Sequence, residues 1–153
     1  MSDLLKIAYE VAAVRSDYLR IHRRVFHVSA GRLIHNLTRR HTRGSLTDQT
    51  DQQELEELSQ RLSRAIDGLS KLNKEDLSIR RGSEIQNELS AYAQALTESM
   101  AALATLLEVR KRPRNESHHE PSGASQAMKT AYDDAVQYHK RLGARLNELF
   151  TTL

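Results

Sequence analysis

Apolar residues recur at alternating intervals of three and four along most of the chain, which is the spacing of amphipathic α-helices. The first segment shows this pattern over its whole length, with apolar residues at Leu4, Ile7, Val11, Val14, Tyr18, Ile21, Val25 and Val28. Beyond Val28 the stripe shifts in phase beside Gly31, where a helix is intrinsically weak. The pattern predicts a long first helix over roughly residues 3–42, bent near residues 29–31.

Three more segments repeat the same spacing and predict helices over roughly residues 50–73, 76–112 and 123–151. Ser45, Thr47 and Thr50 are candidate N-caps for the second helix, and Thr50 has capping-box spacing with Gln53. The start of the third helix is ambiguous, because Asn73 with Asp76 and Gly82-Ser83 with Gln86 offer two alternative caps. Its end is set by Pro113, which cannot continue a helix.

The predicted stripes of these three helices face one core. In the second helix the stripe is Leu55, Leu58, Leu62, Ala65 or Ile66, Leu69 and Leu72. In the third it is Ile85, Leu89, Tyr92, Leu96, Ser99 or Met100, Leu103 and Leu106 or Leu107. In the fourth it is Met128, Ala131, Ala135, Tyr138, Leu142, Arg145 or Leu146, and Leu149.

No segment alternates apolar and polar residues as a half-buried strand would, so the fold class is all-α. Narrow stripes and short connections predict an antiparallel four-helix bundle with heptad-type packing and a long first helix. A polar stretch with two prolines, residues 113–122, reads as a flexible loop. We expect residues 1–153 to form a single helical-bundle domain.

Composition excludes several classes of protein. The chain has no cysteine, which rules out disulfides, cysteine nucleophiles and thiolate metal sites. It has no apolar run of about 18 residues, so no membrane span is expected. The first residues lack the basic and apolar regions of a secretory signal, and we therefore expect a cytoplasmic protein.

Charge is distributed unevenly along the chain. Residues 1–44 contain nine Lys and Arg against three Asp and Glu, residues 45–109 contain six against twelve, and residues 110–153 contain eight against five. One interpretation is that acidic and basic helices pair within the bundle. The other is that the basic segments bind a polyanion, because clustered cations raise the local concentration of anions.

The predicted topology would bring the ends of the first and third helices to one end of the bundle. We call the cations there the basic pole: Arg39, Arg40, Arg43, Arg110, Lys111, Arg112 and Arg114. Favourable contact with helix C-termini accounts for two or three cations at an end, but not for both runs. Arg20 and Arg24 extend the candidate surface along the first helix, where a cationic stripe can follow a phosphate backbone.

A short stretch near the fourth helix carries a possible catalytic pair. The residues Arg114-Asn115-Glu116-Ser117-His118-His119 resemble the Arg-x4–6-His motif of the HEPN family of helical-bundle proteins, many of which are RNases. The resemblance implies metal-independent RNA cleavage by Arg114 and His119. Histidine can transfer protons near neutral pH, and arginine can stabilise charge on a phosphate.

No metal site or cofactor is expected, because the histidines at positions 22, 27, 35 and 41 lack the spacing of helical ligand pairs. The sequence favours a non-enzymatic binding or assembly protein, a small subunit whose basic pole contacts nucleic acid backbone or an acidic protein partner. We also expect a homo-oligomer or a place in a larger complex. The alternatives are the HEPN-like RNase and a purely structural homo-oligomeric bundle.

Overall fold

The computed structural model describes residues 2–35, 44–111 and 122–152, with side chains described for residues 2–26, 50–109 and 126–152. Within these ranges lie four α-helices and no strand: α1 (Asp3–His35), α2 (Gly44–Ser70), α3 (Gly82–Lys111) and α4 (Ser122–Thr151). The all-α prediction is therefore confirmed, and so are its four helices. None of the four has a stretch apolar and long enough to pass through a membrane.

Two helix starts differ from the sequence prediction. The second helix begins at Gly44 rather than near residue 50, since residues 44–49 contain no proline to prevent its extension. The third begins at Gly82 rather than at residue 76. For the first helix, the predicted residues 36–42 lie outside the described residues.

The segment between α2 and α3 explains the later start of α3. The side-chain oxygen of Asn73 accepts hydrogen bonds from the backbone N–H groups of Glu75 and Asp76, at 2.9 and 3.0 Å. This is one of the two caps that the spacing offers, but the capped turn does not continue into α3. Arg81, which comes between them, has a left-handed backbone with φ 60°. A residue at positive φ cannot continue a right-handed helix, so α3 starts after it.

One hydrophobic core collects side chains from all four helices. The predicted stripes of α1, α2 and α3 are buried almost throughout, and Leu62, Ile85 and Leu96 are fully inaccessible. The stripe of α4 is different. Tyr132, Val136 and His139 are buried there, whereas the predicted Tyr138 is 47% exposed.

The helices do not all approach one another equally. Backbones come close between α3 and α4, α1 and α2, α2 and α3, and α1 and α3. Among the described residues, no Cα atom of α1 lies within 8 Å of a Cα atom of α4. Side chains alone therefore join these two helices, and the space between them is where the candidate site lies.

We expect Gly82→Ala to lower the free energy of unfolding by roughly 1–3 kcal/mol, the usual cost of overpacking. A Cβ atom at Gly82 would collide with the backbone carbonyl of Leu77, which cannot move without breaking the turn. Urea titration followed by far-UV circular dichroism measures the change.

Gly68→Ala is the matched control for this substitution. Its Cβ atom would meet only the end of the Ile7 side chain, at 3.1 Å, inside a helix where alanine is favoured by about 0.5–1 kcal/mol. Its effect should be small or stabilising. Equal losses from both substitutions would contradict the role assigned to Gly82.

Candidate functional site

Three polar side chains cross the space between α1 and α4, and we call them the hydroxyl bridge: Tyr18, His22 and Tyr132. The hydroxyl oxygens of Tyr18 and Tyr132 lie 2.6 Å apart, and Nδ1 of His22 contacts the Tyr132 hydroxyl. Both tyrosines are fully buried. Because buried hydroxyls need partners, this network fixes the two helices to each other at one level.

Aromatic rings surround the bridge on both sides. The Phe26 ring stacks on Tyr132 with centroids 5.6 Å apart and an interplanar angle of 17°. On the other side the His139 ring meets Tyr18 edge-on, at 5.9 Å. Nδ1 of His139 lies 3.0 Å from the Ser99 hydroxyl oxygen, at hydrogen-bond distance. These contacts extend the bridge into the core between α1, α3 and α4.

Burial keeps the buried tyrosines of this region and His139 neutral near neutral pH. It raises the pKa of Tyr18 to about 12, and it raises the pKa values of Tyr132 and Tyr92 as well. Burial also lowers the pKa of His139, with a further contribution from the positive charge of Arg15. The tyrosines therefore act as hydrogen-bonding groups, and His139 as a neutral imidazole.

A groove opens next to the hydroxyl bridge, towards the start of α1 and the end of α4. We call it the α1–α4 groove. Its volume is about 600 Å³, and Leu89 and Tyr92 of α3 contribute to its lining. The remaining lining residues come from α1 and α4: Leu5, Ala8, Tyr9, Val11, Ala12, Arg15, His139, Lys140, Gly143, Ala144, Leu146, Asn147 and Phe150.

The groove combines an apolar lining with positive charge. Among its described lining residues, Arg15 and Lys140 carry permanent charge, and none is an aspartate or glutamate. The Tyr92 side chain is 3% exposed, and its hydroxyl has no hydrogen-bond partner in the described part of the chain. Such an unpaired buried hydroxyl is uncommon in folded proteins.

Arg24, predicted as an anion-binding residue, lies between α1 and α2. Its Nε donates to a carboxylate oxygen of Asp51 at 2.7 Å, and its Nη2 donates to Glu54 at 2.9 Å. Asp51 is a buried carboxylate, only 2% exposed. Burial opposes the charge of Arg24, but the two carboxylates outweigh it and raise its pKa. This guanidinium is therefore engaged within the protein.

A second ion-pair cluster joins the same two helices, and here the arginine is on α2 and the carboxylates are on α1. Arg61 of α2 donates to Glu10 at 2.8 Å and to Asp17 at 3.0 Å, both on α1. Arg20, also predicted as an anion-binding residue, is 66% exposed and lies 3.2 Å from Asp17. It is the more accessible of the two predicted arginines of α1.

Most of the basic pole lies outside the part of the chain that the structure describes. Arg39, Arg40, Arg43, Arg112 and Arg114 lie outside the described residues, as does His119 of the HEPN-like pair. Arg110 and Lys111 belong to the last turn of α3, but their side chains lie outside the described set.

Sequence reasoning missed Tyr132 and His139, which lie at the centre of the site. The predicted stripe of α4 was wrong at Ala131, Ala135 and Tyr138, which are not buried, and right at Leu146 and Leu149, which are. A histidine is normally counted as polar, so the stripe Tyr132, Val136, His139, Leu146, Leu149 is interrupted in a hydropathy reading. The intervals between these residues are nevertheless those of one helix face, and this spacing was the signal that could have identified Tyr132 and His139.

Across the described ranges, no group of three or more histidine, cysteine or carboxylate side chains is arranged to hold a metal ion. Comparisons of the chain with protein-family models, with curated proteins and with solved structures found no match.

We expect Arg24→Met to lower the free energy of unfolding by on the order of 2–4 kcal/mol, because it removes a positively charged partner of the buried Asp51 carboxylate. Arg20→Met removes an exposed ion pair on the same helix and should cost less than about 1 kcal/mol. Urea titrations of both variants measure the difference. Similar losses in the two would show that burial of Asp51 does not set the cost.

We expect His139 to make stability depend on pH. Its pKa in the folded protein lies below the ordinary value of 6.5, so the stabilisation is present above pH 6.5 and is lost as the pH falls towards the folded pKa. The slope from this one group reaches at most about 1.4 kcal/mol per pH unit.

His139→Gln should remove this part of the slope while keeping a group that can hydrogen-bond to Ser99. Unfolding free energies measured between pH 7.5 and 5 test the difference. A variant with the same slope as the wild-type chain would contradict the assignment.

Proposed function

We propose that this protein is a non-enzymatic helical-bundle binding or assembly protein, a small subunit that contacts nucleic acid backbone or an acidic protein partner through its basic pole. The observation that carries the proposal is the composition of the two runs 39–43 and 110–114, which contain seven cations and no acidic residue. Such a concentration of charge attracts polyanions, and arginine offers a planar fork of donors for phosphates and carboxylates.

The proposal requires the ends of α1 and α3 to meet at one end of the bundle, as they do in an antiparallel bundle with heptad-type packing. Contacts between neighbouring helices support this arrangement. Along α1 and α2, Arg24 pairs with Asp51 and Glu54, whereas Arg61 pairs with Glu10 and Asp17. Residue numbers therefore rise along one helix as they fall along the other.

The pairing of α3 with α4 follows the same rule. Ser99 contacts His139, and Glu88 forms an ion pair of 2.9 Å with Arg145. Near the start of α3, Arg81 donates to the Thr152 hydroxyl at 3.1 Å. The start of α3 thus lies beside the end of α4, which supports an alternating up-and-down order.

Ion pairs with α1 neutralise part of the negative charge of α2. Asp51 and Glu54 are bound by Arg24, so these two carboxylates neutralise a cation near the middle of α1. We therefore place the proposed contact mainly on the basic pole, with Arg20 at its margin. Contact of Arg24 with a phosphate would require these internal ion pairs to break.

Fluorescence anisotropy with labelled single- and double-stranded DNA and RNA tests the proposal across a salt series. Affinity should fall by about a decade or more between low and moderate salt, because bound phosphates release counterions. The variants R39E/R40E and R110E/R112E should each abolish binding. Unchanged affinity in both would contradict the site, and acidic protein partners would then be sought by pull-down with the same variants.

Two exposed cations provide a matched control. K74E/R80E changes the charge by the same amount in the segment between α2 and α3, at the opposite end of an antiparallel bundle, and should leave affinity nearly unchanged. Equal losses would indicate a general effect of net charge. RNA shortening in the same samples, lost in His119→Ala, would instead favour the HEPN-like RNase.

A further inference from the structure

None of the described residues that line the α1–α4 groove belongs to the basic pole. The lining comes from the first half of α1 and the second half of α4, together with Leu89 and Tyr92 of α3. Along α1 the lining extends from Leu5 to Arg15, about 15 Å at the rise of an α-helix. On α1 the lining ends at Arg15, about one helical turn before Tyr18 of the hydroxyl bridge.

The two ends of the groove differ in chemistry. Leu5, Leu146 and Phe150 line the end near the start of α1. Arg15, Lys140 and His139 line the end beside the hydroxyl bridge, and the charges of Arg15 and Lys140 both act on the His139 ring. A ligand with an apolar body and one charged end matches this division.

The charged end of such a ligand is expected to be negative. On their own helices, Arg15 and Lys140 have no acidic residue three or four positions away in either direction, so neither has a helical ion-pair partner. No described residue forms an ion pair with either side chain. Two cations thus face an apolar groove whose described lining contains no carboxylate.

Tyr92 provides an independent indication of a ligand. The side chain lines the groove and is 3% exposed, and no described residue is a hydrogen-bond partner of its hydroxyl. The Tyr92 ring lies edge-on to His139, with centroids 6.2 Å apart, which places it beside the charged end. Burial raises the pKa of Tyr92, so the hydroxyl keeps its proton and can donate it to a bound anion.

The size of the groove suits a small molecule. The groove offers about 600 Å³, which lies within the range of small-ligand pockets.

We propose that the α1–α4 groove binds the carboxylate of an alkyl-chain acid, with Arg15, Lys140 and the Tyr92 hydroxyl at the carboxylate and the chain lying between α1 and α4 towards Phe150. The two charges and the hydroxyl assigned to the carboxylate have no ion-pair or hydrogen-bond partner among the described residues. This site is independent of the basic pole, so its failure and that of the proposed polyanion contact are distinguishable.

Isothermal titration calorimetry of the full chain with sodium laurate, kept below its micelle concentration, tests the proposal. Saturable binding of one laurate per chain is expected. Dodecyltrimethylammonium, which has an apolar chain of similar length and the opposite charge, should bind at least about tenfold more weakly, and acetate should not bind measurably. Equal binding of both charged amphiphiles, or no binding of laurate, would overturn the proposal.

Substitutions distinguish the charged end from the rest of the surface. Arg15→Gln and Lys140→Gln should each weaken laurate about tenfold, since each removes a charge-assisted hydrogen bond. Arg23→Gln on α1 and Lys129→Gln on α4 remove equally exposed cations outside the groove, and they should leave affinity unchanged. Losses of the same size in the control variants would overturn the site.

Two further variants probe the chain-binding part and the hydroxyl. Ala144→Leu adds bulk at an exposed lining position and should abolish binding without lowering the thermal midpoint. Tyr92→Phe should weaken laurate binding while preserving the fold, because only the unpaired hydroxyl is lost. Laurate affinity that survives both substitutions would place the ligand elsewhere.

Other occupants of the groove give distinct results. If a second copy of the chain fills it, light scattering will show a dimer that Ala144→Leu converts to a monomer, and the proposal is overturned. If the groove instead recognises a membrane surface, vesicles containing phosphatidylglycerol will bind while monomeric laurate does not. That result would overturn it as well.

Discussion

The separation between the backbones of α1 and α4 is the constraint on which the rest of the structure depends. No described Cα atom of one helix comes within 8 Å of the other, so side chains alone connect them. The connection is made by hydroxyl groups, where Tyr18 and Tyr132 meet at 2.6 Å. Each hydroxyl would be costly to bury alone, and together they satisfy one another.

The hydroxyl bridge divides the space between the two helices. On one side, the Phe26 ring stacks on the Tyr132 ring, so that aromatic rings fill the space between the helices. On the other side the space stays open, and the α1–α4 groove forms above Leu89 and Tyr92 of α3. The groove therefore exists because α4 packs mainly on α3, and α1 mainly on α2 and α3.

Charge specifies how α1 and α2 are aligned. Each helix contributes one arginine that reaches two carboxylates of the other, with Arg24 at one level and Arg61 at another. A shift by one helical turn would separate both sets at once. The exchanged signs thus make one alignment preferable, although partly exposed ion pairs contribute little stability individually. The same pairing removes Arg24 from the readily accessible cations, whereas Arg15 and Lys140 remain without acidic partners in the groove.

The sequence alone determined the fold class, the number of helices and the buried faces of α1, α2 and α3, because periodic apolar residues dominate those faces. It also determined that Arg15 and Lys140 have no acidic residue three or four positions away on their own helices. Only the tertiary structure decided that α4 buries Tyr132 and His139. Their polar atoms contact Tyr18 and Ser99 on other helices, which makes burial favourable. The tertiary structure likewise decided that Arg24 faces Asp51 and that α3 begins only after the turn at Arg81. It also brought two cations and the Tyr92 hydroxyl to one groove. These features depend on contacts between residues distant in the chain, which local periodicity does not encode.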